Sequence, residues 1–134
     1  MIRTQMPPNQ QVEKRSILVA DDEETICNLL SKALSKDGYQ VTTSSNGREV
    51  LENLQIKPEI SLVIMDINMP EVTGLQALSM MRNRGLQVPV IMVTGENCNQ
   101  TLEEARRLNA FAYLTKPFEL KELKRLAKEA LESQ

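Results

Sequence analysis

The stretch Leu62-Val63-Ile64-Met65-Asp66-Ile67-Asn68-Met69-Pro70 runs four apolar residues into a carboxylate and then into a turn. An unbroken apolar run of this length, with polar or turn-forming residues around it, fits a strand buried on both faces, as in parallel sheets. Asp66 falls where that strand stops, and Pro70 and Gly74 mark the loop beyond it.

The same grammar repeats in both directions. Upstream, Ile17-Leu18-Val19-Ala20 is a second buried-strand run. Asp22 to Lys36 then carries Ile26, Leu29, Leu30, Ala33 and Leu34 at helical spacing, and Asp37-Gly38 stops it. Tyr39–Thr43 alternates and is rich in β-branched residues, as a strand should be. Gly47–Leu54 presents Val50, Leu51 and Leu54 as a short helix before Pro58. Downstream, Leu75, Leu78 and Met81 line a helix that Gly85 ends, and Val88–Val93 is a strand with Pro89 near its start. Gln100–Leu108 is a helix carrying Leu102, Ala105 and Leu108; Ala110–Leu114 is the fifth strand. Phe118 to about Glu132 is the last helix, with Leu120, Leu123, Ala127 and Leu131 on one face. Strand and helix thus alternate five times, which predicts an α/β fold with a five-stranded parallel sheet covered on both faces. Right-handed crossovers prune the topologies, but alternation alone leaves the strand order open.

The chain has 134 residues, the size of one domain. With aromatics at 3% and no Trp, the core must be built from Leu, Ile, Val, Met and Ala. A net charge of −2, from 16 basic and 18 acidic side chains, argues against direct nucleic-acid binding through phosphate contacts. The absence of His excludes imidazole acid/base catalysis, His metal ligation and a phosphohistidine step within this chain. Two cysteines, Cys27 and Cys98, make neither a disulfide framework nor a zinc site, and free thiols in a reducing cytosol are expected. Met1–Arg15 is polar, contains Pro7-Pro8 and lacks the apolar run of a signal peptide, so it reads as a flexible tail ahead of one domain over 16–134. The longest apolar stretches are too short to span a bilayer, and the expectation is a cytoplasmic protein without membrane association.

The polar residues at the strand ends carry the functional reading. Asp21-Asp22 follow the first strand, Asp66 the third, Thr94 the fourth and Lys116 the fifth. In a parallel sheet these ends share one edge, where open α/β sheets bind their ligands. Three carboxylates there repel one another, so without compensation at least one has a raised pKa. Lys116 supplies one positive charge, and a divalent cation offsets the rest. Oxygen-only ligands suit Mg²⁺ or Mn²⁺ rather than zinc. Such a site fits phosphoryl transfer, with the metal and Lys116 neutralising charge on the transferring group. A carboxylate can itself be the nucleophile, and Asp66, on the loop Ile67-Asn68-Met69-Pro70, is the best-placed candidate.

At these residues the chain resembles the receiver domain of bacterial response regulators, over roughly Ser16 to Ser133. The motifs are Leu18-Val19-Ala20-Asp21-Asp22-Glu23, Leu62 through Pro70, Gly74, Val93-Thr94-Gly95 and Tyr113-Leu114-Thr115-Lys116-Pro117-Phe118. Each is weak alone; all of them in order at the right strand ends are specific. The resemblance implies a flavodoxin-like (βα)5 domain with strand order 2-1-3-4-5. Asp66 would be the phosphoacceptor. Asp22 would ligate Mg²⁺ directly, Asp21 mainly through water, and the backbone carbonyl of Asn68 would complete the protein ligands. Thr94 and Lys116 would hold the phosphoryl oxygens, Tyr113 would act as a rotamer switch that follows Thr94, and the Lys116–Pro117 bond would be cis. A histidine kinase or phosphotransfer protein would be the donor. A downstream protein would read the face made by the fourth helix, fifth strand and fifth helix. No separate substrate turnover is expected. Two positions depart from the commonest family pattern. Asn109 replaces Gly before the fifth strand and tolerates a left-handed backbone. Phe111 replaces an acidic residue and either adds an exposed apolar contact or packs.

Plainer readings exist for each residue. Asp21-Asp22 could cap a helix, Asp66 could form a turn before Pro70, Thr94 could satisfy a loop amide, and Lys116 could be a surface lysine. Tyr113 could be ordinary half-buried packing, and Met65, Met69, Met80 and Met81 fit core packing better than a binding surface. Glu96 fits a solvated loop charge, or an influence on water attack at the phosphate. Two rival functions have different chemistry. A haloacid-dehalogenase-like phosphatase also uses an Asp nucleophile and Mg²⁺, but usually places an Asp two residues later, where this chain has Asn68. A non-phosphorylated pseudo-receiver would lack a site residue, and none is missing. No DNA-binding domain follows in this sequence, so output is expected through protein contact, unless the sequence is a fragment of a longer regulator.

Overall fold

A computed structural model describes residues 15–95 and 99–133. The elements are β1 (Ser16–Ala20), α1 (Glu24–Lys36), β2 (Gln40–Ser44), α2 (Gly47–Ile56), β3 (Ile60–Asp66), α3 (Gly74–Asn83), β4 (Val90–Thr94), α4 (Asn99–Arg107), β5 (Ala112–Thr115) and α5 (Leu120–Glu132). The strands form one five-stranded sheet in the order β2-β1-β3-β4-β5, and every neighbouring pair is parallel. The winding direction reverses between β1 and β3, so the crevice expected of an open α/β sheet lies at the ends of those two strands.

Strand side chains alternate between two cores, as the pleat requires. Leu18, Val63, Met65, Val90 and Met92 pack beneath Val50, Leu51 and Leu54 of α2, Ala77, Leu78 and Met81 of α3, and Ala105 of α4. Ile17, Val19, Leu62, Ile64, Ile91 and Val93 face Cys27, Leu30 and Leu34 of α1 and Leu123, Ala127 and Leu131 of α5. The central strands are therefore apolar on both faces, which is why they read as continuous runs rather than alternations.

The differences from the sequence reading have local causes. Helix α1 starts at Glu24 rather than Asp22, because the Asp21 carboxylate accepts a hydrogen bond from the Glu23 N–H (2.8 Å) and holds the chain extended there. Helical spacing places Leu29 with the apolar face, yet it is 57% exposed. At 100° per residue it sits roughly a third of a turn from the arc centred on Cys27, Leu30 and Leu34. Strand β4 begins at Val90: Pro89 has no N–H for the ladder, although its carbonyl accepts from the Val63 N–H (3.0 Å). Strand β5 starts at Ala112 because Asn109 takes a left-handed turn (φ 60), the conformation its side chain tolerates. Helix α5 starts at Leu120, after the Pro117 turn. The tail over 1–14, Glu96 and Cys98 lie outside the described residues.

Candidate functional site

Strand ends place the polar residues before any side chain is considered. Asp66 is the last residue of β3 and Thr94 the last of β4; Asp21 and Lys116 follow β1 and β5 directly. The Lys116 N–H donates to the Thr94 carbonyl (2.6 Å) and the Ile67 N–H to the Val93 carbonyl (2.9 Å), so the sheet ladder extends to the edge of the site.

The side chains then converge. Lys116 Nζ donates to Asp66 Oδ2 (2.9 Å) and to Asp21 Oδ2 (3.1 Å), and lies 3.7 Å from Glu23 Oε1. The other oxygens of the two carboxylates accept backbone N–H groups: Asp21 Oδ1 from Glu23 (2.8 Å) and Asp66 Oδ1 from Asn68 (3.0 Å). Asp21 and Asp66 are only 3% and 5% exposed, whereas Asp22 is open to solvent. One carboxylate oxygen from each of Asp21, Asp22 and Asp66 lies within 4.8 Å of the others.

Charge in this cluster is strained in the expected direction. Burial pushes the Asp21 carboxyl above its ordinary value, and the neighbouring Asp66 charge adds to this, while the Glu23 N–H and Lys116 oppose it. Burial pulls on Lys116 toward the neutral amine, but its hydrogen bonds to Asp66 and Asp21 outweigh that and raise its pKa. Lys116 is thus held as a cation between two buried carboxylates.

Backbone shape makes room for the arrangement. The Gly74 N–H donates to the Ile67 carbonyl (2.8 Å), and a Cβ there would sit 2.3 Å from the Asp66 carbonyl oxygen. Only glycine lets α3 start so close to Asp66. Thr73 caps the N-terminus of α3 in a capping box shared with Gln76.

Asp21, Asp22, Asp66 and Lys116 therefore come together, and Asn68 joins them through its backbone N–H. Thr94 is buried on the adjoining strand end. Tyr113 pairs in register with Met92 and packs, half-buried, against the core under α2, α3 and α4. The Lys116–Pro117 bond is cis, and Phe111 is 38% exposed. Sequence reading missed Glu23 as a neighbour of Lys116, and missed Cys27, whose buried thiol donates to the Asp21 carbonyl (3.3 Å). Its spacing from Leu30 and Leu34 could have placed Cys27 on the inner face. The donor set suits a hard divalent cation: the clustered groups are carboxylates, with no thiolate or imidazole among them.

A switch-point crevice holding three clustered carboxylates and a half-buried lysine defines a receiver domain, and the sequence matches the response regulator receiver domain family over residues 17–128. The chain belongs to that family, the receiver domain of two-component response regulators. Among its relatives is the regulatory protein AtoC of Escherichia coli, 40% identical over 119 residues that cover 88% of this chain and 25% of AtoC. The alkaline phosphatase synthesis transcriptional regulatory protein PhoP of Bacillus subtilis is 34% identical, covering 81% of this chain and 45% of PhoP. This chain thus spans a quarter to a half of such relatives. Among solved structures, a CheY-like response regulator receiver domain protein from Methanospirillum hungatei superposes with a TM-score of 0.85 at 26% identity, covering 90% of this chain and 96% of that one. The chemotaxis protein CheY4 of Vibrio cholerae gives 0.82 at 29% identity, covering 89% and 100%. Receiver domains are signalling domains that take phosphate from histidine kinases and bind Mg²⁺ at an acidic pocket. Among the described residues, no helix is long and apolar enough to cross a membrane.

Proposed function

We propose that Asp66 is the phosphoacceptor of this receiver and that a phosphorylated histidine on a kinase or phosphotransfer protein is the donor. The observation that carries the reading is the bracketing of Asp66 by Lys116 Nζ at 2.9 Å, with the Asp21 and Asp22 carboxylates beside it. One carboxylate oxygen of Asp66 forms the new bond to phosphorus. The phosphorus–nitrogen bond of the donor breaks, its electron pair stays on the imidazole, and that ring takes up a proton. Lys116 pairs with phosphoryl oxygens as its bonds to Asp66 and Asp21 are exchanged. The Thr94 hydroxyl donates to another of those oxygens. Asp21, Asp22, Asp66 and the backbone carbonyl of Asn68 would hold Mg²⁺, which supplies positive charge against the phosphoryl oxygens when bound.

The same residues connect the site to an output surface. Thr94 ends β4 and Tyr113 lies on β5 beside it. Movement of Thr94 toward the phosphoryl group opens space into which Tyr113 turns. The face of α4, β5 and α5 then changes its preferred protein partner. The exposed ring of Phe111, just before β5, gives that face an apolar contact.

Treatment with acetyl phosphate and MgCl2 followed by intact-protein mass spectrometry tests the reading. The wild type should gain one phosphoryl group, and Asp66→Asn should not. Equal labelling of both proteins would refute Asp66 as the acceptor. Turnover of an unrelated phosphoester would instead favour a phosphatase.

A further inference from the structure

We propose that the segment Ser44–Gly47, which leads from β2 into α2, is a positioning element for the metal site, and that Asn46 and Gly47 set its affinity for Mg²⁺. The inference rests on the phosphoacceptor reading and concerns residues outside the acidic cluster.

The segment touches both loops that supply carboxylates. The Ser44 carbonyl accepts the Asp21 N–H (3.0 Å), which fixes the loop after β1. Three residues on, the Gly47 N–H donates to the Val72 carbonyl (3.0 Å), in the turn that carries Asn68. Asn46 is buried and works in both directions: its Oδ1 accepts the Glu49 N–H (2.9 Å) and caps α2, while its Nδ2 donates to Glu71 Oε2 (3.3 Å).

The turn needs that support. Its ends are anchored by Ile67 on Val93 and Gly74 on Ile67, but Glu71 in its middle adopts a left-handed backbone (φ 65). A residue with a Cβ resists this conformation; the Val72 N–H to Pro70 carbonyl bond (2.8 Å) holds it from within the turn, and the Asn46 amide on Glu71 holds it from outside. The approach is too close for any other residue at 47. A Cβ there would lie 2.5 Å from the Val72 carbonyl oxygen and 2.6 Å from Val72 Cγ1. The oxygen is backbone, so relief requires the turn itself to move. Helix α2 cannot retreat easily, because Val50 is fully buried one turn along. Displacing the turn displaces the Asn68 carbonyl relative to Asp21, and cation affinity is sensitive to such outer contacts.

Isothermal titration of MgCl2 into wild type, Gly47→Ala and Asn46→Ser, below the melting temperature of each, tests the proposal. Ser keeps a capping oxygen but lacks the amide donor to Glu71. Gly47→Ala should bind Mg²⁺ about tenfold more weakly, the low end for loss of an outer-shell contact, and Asn46→Ser should show a smaller loss. Hydrogen exchange of 67–73 in the metal-free proteins should rise in the same order. Labelling by acetyl phosphate at saturating Mg²⁺ should stay near the wild-type rate, a split that general destabilisation would not produce. If Gly47→Ala does not fold, Asn46→Ser decides alone. Folded variants that bind Mg²⁺ as tightly as a Mg²⁺-binding wild type would overturn the positioning role and leave the phosphoacceptor reading intact. A wild type that binds no Mg²⁺ would overturn both.

Discussion

Replacing Lys116 with Met should destabilise the metal-free protein in a way that both acid and Mg²⁺ reverse. Methionine matches the length of the lysine stem, so the apolar packing of the side chain is largely kept and the charge is what is lost. Asp21 and Asp66 then face each other with no cation between them, their oxygens within 4.8 Å. At an effective dielectric of about 20, two full charges at that distance repel by about 3.5 kcal/mol. Partial hydration and small shifts relieve some of this, leaving a net loss of about 2–3 kcal/mol near pH 7. In a domain of this size that lowers the melting temperature by about 8–12 °C. A carboxyl whose folded pKa is raised costs stability when ionised, and that cost fades as pH falls through the folded value. Asp21 is already raised in the presence of Lys116, so the penalty in Lys116→Met should shrink as the pH is lowered from neutral. Excess MgCl2 should also narrow the gap, by replacing the missing charge. Circular-dichroism melts across a descending pH series, with and without MgCl2, measure all of this. A loss that ignores both pH and Mg²⁺ would show that Lys116 contributes through packing, and the electrostatic account of the site would fail.

Two other perturbations follow from the same coordinates. Asp21→Asn should raise the metal-free stability at neutral pH by about 1 kcal/mol, a typical single-site effect, because it removes a buried ionised carboxylate, and calorimetry should show weaker Mg²⁺ binding; a protein that melts lower at neutral pH would contradict it. Arg82 donates to the carbonyls of Leu108 (2.9 Å), Leu86 (2.8 Å), Val88 (3.0 Å) and Asn109 (3.1 Å), joining the end of α3 to the α4–β5 turn. Arg82→Lys cannot span those acceptors and should cost about 2 kcal/mol in urea unfolding, with faster hydrogen exchange around Asn109; an unchanged urea midpoint would mean that water satisfies the carbonyls equally well.

Much of the molecule could be read from its residues because the relevant signals are local. Apolar runs with no alternation announce strands covered on both faces, and the turn residues between them mark the helices. The parallel arrangement then forces the strand ends onto one edge, so Asp21, Asp66, Thr94 and Lys116 could be gathered there from sequence position. Boundaries were less accurate where a side chain competed with the backbone, as when Asp21 holds Glu23 and delays α1 to Glu24. Leu29 reads as buried because its neighbours at helical spacing form a wide apolar arc, of which only part meets the sheet.

The order of hydrophobic and polar residues by itself determined the five-fold alternation, the parallel sheet and the edge on which the polar groups meet, since each follows from short-range periodicity and chain connectivity. Which groups touch was decided only by tertiary structure. The two-pronged bond of Lys116 to Asp21 and Asp66, the burial that raises Asp21, and the close passage of Gly47 past Val72 join segments distant in the chain. Ångström-scale distances between such segments depend on how helices seat on the sheet, a collective packing outcome that no local pattern encodes.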